Sequence, residues 1–161
     1  MAIPTRNSDP KQIARTSRTF FVTTKTSMGR VLLQSDRNAT LFIDVLRSYV
    51  AVKKFNVHDF VVMPDHVHLL MTVNGDMSIE KAVQFIKGGF SYRLKKETGY
   101  AGEVWQNGFS EVRVNDEGSF AKYREYIAQN PIKVGLVSEP EEYPYCFKYL
   151  ATRKAGAKAQ K

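Results

Sequence analysis

A chain of 161 residues, 43% of them hydrophobic, is long enough for one globular domain with a real core and too short for two. Its single cysteine, Cys146, excludes intramolecular disulfides and cysteine-based zinc sites, and reads as a small buried hydrophobe in a reducing compartment. No stretch is apolar enough to cross a bilayer and the N-terminus lacks a signal peptide's hydrophobic segment, so a cytoplasmic protein is expected, while a net charge of +8 favours phosphate-rich partners. Residues 1–150 are expected to form one domain, followed by a basic tail, 151–161, that reads as disordered. The tail either lies on a nucleic-acid backbone or serves only as a solubilising end.

In chain order, Thr19 to Thr26 is rich in Phe, Val and Thr and predicts a strand. Ser35 or Asp36 caps a helix that places Leu41, Phe42, Val45, Leu46, Tyr49 and Val50 on one face. Val57 to Met63 and His66 to Val73 form a hairpin about a Pro64-Asp65 turn. Ser78 caps a second helix with Ile79, Val83, Ile86, Phe90 and Leu94 inward. Gly88 and Gly89 cost that helix about 1 kcal/mol each relative to Ala, which a bend or a close backbone approach would explain. A short strand falls between Phe109 and Val114, and a third helix runs from near Asp116 to just before Pro131. The order strand-helix-strand-strand-helix-strand predicts an α+β, ferredoxin-like split βαβ fold with a central antiparallel sheet.

The hairpin carries the most informative pattern, His66-Val67-His68. Alternation sends both imidazoles to one face and Val67, Leu69 and Met71 to the other. Two adjacent histidines are half of a metal site, or else polar residues on the open face of an edge hairpin. A two-residue turn sets Met63 opposite His66, Val61 opposite His68 and Asp59 opposite Leu70. Asp59 then shares the histidine face as a candidate to orient an imidazole, and His58 points away. A remaining ligand should be an oxygen or amide on whatever covers this face.

The third helix supplies one. Its apolar stripe is Phe120, Tyr123 and Ile127, with Tyr126 and Asn130 side by side at the margin and Gln129 farther round. A half-buried tyrosine and a helix C-cap are the plainer readings of Tyr126 and Asn130, and Pro131 unsettles the position of Asn130.

Four segments together carry a resemblance: Val62 to Leu70, Ile86 to Arg93, Trp105 to Phe109, and Tyr126 to Val137. They resemble, in consistent order from about Arg18 to Tyr149, the REP-associated tyrosine transposases, members of the HUH single-strand nucleases. The resemblance implies the same ferredoxin-like sheet. It implies that His66, His68 and Asn130 hold a divalent cation, Mg²⁺ or Mn²⁺, and that Tyr126 is the nucleophile. Attack on single-stranded DNA would leave a 5′-phosphotyrosine and a free 3′-hydroxyl, and the reverse attack would rejoin strands without ATP. The residue types suit that chemistry: a phenol has a pKa near 10 in water and needs activation, and a cation neutralises charge on the phosphate. Two imidazoles are unusual for Mg²⁺, and softness alone favours Mn²⁺ or Zn²⁺.

Relatives recognise imperfect hairpins in repetitive palindromic DNA, so single-stranded or hairpin DNA is the implied partner, with nucleoid association when bound. A homodimer stays open, since in some relatives the tyrosine helix completes the partner's site. Arg18, Lys87, Arg93, Lys95 and Lys96 are candidate phosphate contacts, and Trp105 and Phe109 candidate platforms for unpaired bases. Core packing and a solvated helix face compete with those roles and are preferred for Phe109 and Lys96. The alternatives to the enzyme are a non-catalytic single-strand-binding module of the same fold and a metal-dependent hydrolase indifferent to Tyr126.

Overall fold

Side chains of a strand leave alternate faces, and here both faces are apolar. In β1 (Arg18–Lys25), Phe20 and Val22 enter one buried cluster and Phe21 another. The computed structural model describes residues 17–147. Residues 1–16 and the expected basic tail, 151–161, therefore lie outside the described residues. Strand β1 is joined by β2 (Asn56–Val62), β3 (His66–Val73) and β4 (Ser110–Val114) in the order β2-β3-β1-β4, every pair antiparallel. With helices α1 (Asp36–Ala51), α2 (Ile79–Thr98) and α3 (Glu117–Lys133), this is the split βαβ arrangement expected from the pattern. No helix among the described residues is long and apolar enough to cross a membrane.

Each helix begins where a side chain satisfies an orphan backbone donor. Ser35 accepts from the Asn38 N–H at 3.1 Å, Ser78 from Lys81 at 3.0 Å and Asp116 from Ser119 at 2.7 Å. Helices α1 and α2 share the larger core with Val67, Leu69, Met71 and Val73 of β3. Helix α3 covers the other face, where Ile127 packs with Phe21, Val61, Met63 and Leu70. The chain after α3 helps to close that face. The Tyr143 hydroxyl donates to the Val62 carbonyl, the Val62 N–H donates to the Tyr145 carbonyl, and Cys146 bridges to Val61 and is buried.

Three expectations need correction. A β-bulge between Val57 and Asp59 adds one residue to β2, so His58 does not point away from the histidine face. It turns towards α3, with Nε2 2.7 Å from Thr72 Oγ1 and its ring against Phe120. Helix α3 does not stop before Pro131 but continues to Lys133. A proline close to a helix end costs little continuity, because Gly135 in the left-handed region (φ 78°) closes the turn. The Leu136 N–H reaches the Pro131 carbonyl at 2.9 Å and the Gly135 N–H the Ile132 carbonyl at 3.0 Å. Trp105 is core rather than platform: it is 8% exposed, packs on Phe42 and Phe90, and donates its indole N–H to the Lys87 carbonyl at 2.9 Å.

The paired glycines separate into two roles. A Cβ at Gly89 would come within 3.0 Å of Tyr49 and Val45, so Gly89 sets the close approach of α1 and α2, whereas Gly88 faces open space. Gly88→Ala is therefore expected to stabilise the protein by about 1 kcal/mol through helix propensity. At Gly89→Ala the crowding should cancel or reverse that gain. Urea denaturation midpoints of the two variants check the contrast.

Candidate active site

The register of β3 against its neighbours decides what surrounds the two histidines. His68 lies opposite Thr23 of β1 and Val61 of β2, and His66 opposite Lys25. Thr23 Oγ1 is 2.8 Å from His68 Nδ1, and the adjacent Asp65 places Oδ1 2.7 Å from His66 Nδ1. A carboxylate can only accept, so His66 Nδ1 carries the hydrogen of that bond. Both rings thus have Nδ1 engaged and Nε2 left for something in the cavity. Their centroids are 4.8 Å apart with the planes at 76°.

His68 is 5% exposed, and its pKa is lowered from 6.5 to about 3 by burial first, then by neighbouring His66 and Lys25. It is held as a neutral imidazole, the form that binds a cation.

Tyr126 of α3 completes the constellation. Its ring lies 5.3 Å from that of His68, nearly perpendicular, and is 40% exposed. Phe21 holds both: it stacks on His68 at 5.2 Å and on Tyr123 at 4.4 Å, and meets Tyr126 edge-on at 5.6 Å. His66, His68 and Tyr126 line one cavity of about 500 Å³ together with Lys25, Gln106 and Ser110. Lys133 sits with Nζ 5.3 Å from the centre of the Tyr126 ring. Lysines at the wall and beside the phenol give the site a positive field suited to a phosphate. Asn130 lies one helical turn beyond Tyr126 and is 8% exposed.

The structure does not bring every expected residue here. Asp59 pairs across from Leu70 as anticipated, but its carboxylate accepts from the Phe60 N–H and lies 3.6 Å from Arg124 Nε. The Nδ1 positions it was expected to serve belong to Thr23 and Asp65. Arg18 donates to the Gly75 and Met77 carbonyls at the opposite end of β1, roughly 20 Å from the histidine end. The Lys87 ammonium is engaged with the Gln106 and Gly108 carbonyls at 3.0 and 2.9 Å, so it ties a loop to α2. Arg93 pairs with Glu97 on α2, and Lys95 is exposed on the same helix, across the sheet from the histidines. Phe109 packs against the larger core.

Thr23, Lys25, Phe21 and Gln106 were not singled out from the sequence. Only alternation in β1, which sends Phe21, Thr23 and Lys25 to the histidine face, hinted at the first three. Among the described residues no cluster of three His, Cys, Asp or Glu side chains stands ready for a metal.

Because folding withholds a proton from His68 and lowers the pKa of His58, the unfolded chain binds more protons than the native one below about pH 6.5. Stability of the metal-free protein should fall as the pH drops from about 7.5 to 5, with a slope of up to about 1.4 kcal/mol per pH unit for each proton withheld. His68→Asn should flatten that dependence, measured by urea denaturation in the presence of a chelator.

Comparison with known proteins agrees with this geometry. The sequence pattern of the family described as "Transposase IS200 like" matches residues 20–130. A Haemophilus influenzae protein named as a candidate REP-associated tyrosine transposase is 26% identical over 132 residues, covering 71% of this chain and 74% of its own. The REP-associated tyrosine transposase of Escherichia coli is 26% identical over 94 residues, covering 58% of this chain and 54% of its own. The solved structure of a REP-associated tyrosine transposase bound to a REP hairpin superposes with a TM-score of 0.68 at 22% identity, over 86% of this chain and 81% of that one, and so shares its fold. With the family pattern spanning most of the described residues on that fold, the chain belongs to the IS200-like transposases, which are DNA-cleaving enzymes.

Proposed function

We propose that the protein is a metal-dependent single-strand DNA endonuclease and strand transferase that works through a covalent 5′-phosphotyrosine at Tyr126, on hairpin or palindromic DNA. The observation that carries the reading is that Tyr126 and both imidazoles of one chain line one cavity, with the phenol ring 5.3 Å from His68. The Tyr126 oxygen attacks the scissile phosphorus, the P–O3′ bond breaks, and the phenol proton passes to solvent as the 3′-oxygen gains one. Rejoining is the reverse, with a 3′-hydroxyl displacing the tyrosine. Lys25 at the cavity wall and Lys133 beside the phenol ring bind and orient the anionic strand.

His66 and His68 would hold a divalent cation through Nε2, with Asn130 as a third donor. Their engaged Nδ1 atoms and the neutrality of His68 fit that role. Bound there, Mg²⁺ or Mn²⁺ would neutralise charge on the non-bridging oxygens, and the imidazole pair favours Mn²⁺. Tyr126 reaches the histidine cavity on a helix of the same chain, so on this reading the site is assembled in cis. A hairpin substrate is supported by the REP hairpin on the structural relative. On this reading the enzyme works on nucleoid DNA in the cytoplasm.

Labelled hairpin-bearing single-stranded DNA, incubated with Mn²⁺ or Mg²⁺ and run on a denaturing gel, should yield a protein–DNA adduct. The adduct should vanish with a chelator and with Tyr126→Phe, while DNA binding by that variant persists. Cleavage of equal strength without an adduct in both proteins would overturn the tyrosine mechanism. In calorimetric titration with Mn²⁺, Thr23→Val should weaken binding about 10- to 100-fold and Thr23→Ser should restore it.

A further inference from the structure

The segment between α2 and β4 passes the cavity with its backbone tied on both sides. The Ser27 N–H donates to the Val104 carbonyl and the Gln106 N–H to the Lys25 carbonyl, both at 2.9 Å. From the helix side, Lys87 Nζ donates to the Gln106 and Gly108 carbonyls while the Lys87 carbonyl receives the Trp105 indole. A single lysine of α2 therefore latches the loop in both directions, and Gln106 has its N–H and its C=O both fixed. Its side chain is exposed on the wall of the cavity shared by His66, His68 and Tyr126, and its amide has no hydrogen-bond partner among the described residues. Here only side-chain freedom is left to lose on binding.

We propose that Gln106 contacts the base of an unpaired nucleotide beside the scissile phosphate, and that Lys87 is the positioning residue that holds it there. The chemistry separates base from phosphate. An anionic phosphate is better met by a cation, and Lys25 already lines the same cavity. A carboxamide offers one donor and one acceptor side by side, the pattern that pairs bidentately with adenine. Gln106 is thus a specificity-determining residue, with adenine the favoured base. The inference rests on the reading that single-stranded DNA occupies this cavity.

The test uses binding rather than cleavage, so that it does not depend on the phosphotyrosine chemistry. Tyr126→Phe protein is incubated with DNA hairpins carrying a randomised single-stranded flank, and the bound fraction is sequenced. One flank position should favour adenine by roughly five- to a hundredfold, the span of a bidentate amide–base pair. Adding Gln106→Ala should flatten that position to under about twofold and leave the others unchanged. Adding Gln106→Glu should move the preference towards cytosine, whose amino group donates to a carboxylate. Lys87→Met should weaken the preference at the same position only, a result that general loosening of the fold would not give. No preference in the Tyr126→Phe protein, or a preference that survives Gln106→Ala, overturns the proposal. Adduct formation by the wild-type protein, followed in parallel, reports separately on the proposed reaction.

Discussion

The site depends on one aromatic ring. Phe21 is the only side chain with ring contacts to His68, Tyr123 and Tyr126 together among the described residues, and so links the sheet to the helix across it. Burying a phenylalanine removes enough apolar surface to contribute about 2–3 kcal/mol. Here that energy is spent at the point where the nucleophile's helix must meet the histidine strand. Because Phe21 sits on the central strand β1, the relation of Tyr126 to His68 is set by close packing rather than by a loop. A rigid element carries a reacting group with better geometric definition than a flexible one.

A second constraint holds the turn. The Asp65 carbonyl accepts from the N–H and the hydroxyl of Thr26, both at 3.0 Å, and the Pro64 carbonyl accepts from the Leu33 N–H at 2.9 Å. The tip of the β2–β3 hairpin is thereby moored to the chain that leaves β1. Asp65 orients His66 only because that tip does not swing. The same stretch after β1 receives the loop of Trp105 and Gln106, so three segments distant in sequence meet at one edge of the cavity.

The positive charge of the chain divides by what each cation touches. Arg18 and Lys87 are engaged with backbone carbonyls, and Arg93 with Glu97. Lys25 and Lys133 stand at the cavity and at the tyrosine. A count of basic residues predicts a polyanionic partner, but it does not tell a phosphate contact from a carbonyl cap. Both use the same ammonium or guanidinium donors, and only the fold decides which acceptor arrives first.

Much of this protein is determined locally. The apolar alternation of β1 and β3, the 3.6-residue stripes of α1 and α2, and the caps at Ser35, Ser78 and Asp116 are short-range effects, readable from neighbours in the chain. The two-residue turn set the register of Val61 with His68 and Asp59 with Leu70, and Tyr126 and Asn130 fell on one side of a helix by period alone. The bulge that turned His58 towards α3, the continuation of α3 through Pro131, and the burial of Trp105 were not readable in that way. Each depends on a partner far along the chain: Thr72 and Phe120 for His58, the Gly135 closure for α3, Phe42 and Phe90 for Trp105. The same holds for the neighbours of the histidines. Sequence placed two imidazoles on one face, while tertiary structure chose Thr23 over Asp59 as a partner and brought Gln106 to the wall, because those contacts form only when strand pairing and loop closure unite segments that periodicity cannot relate.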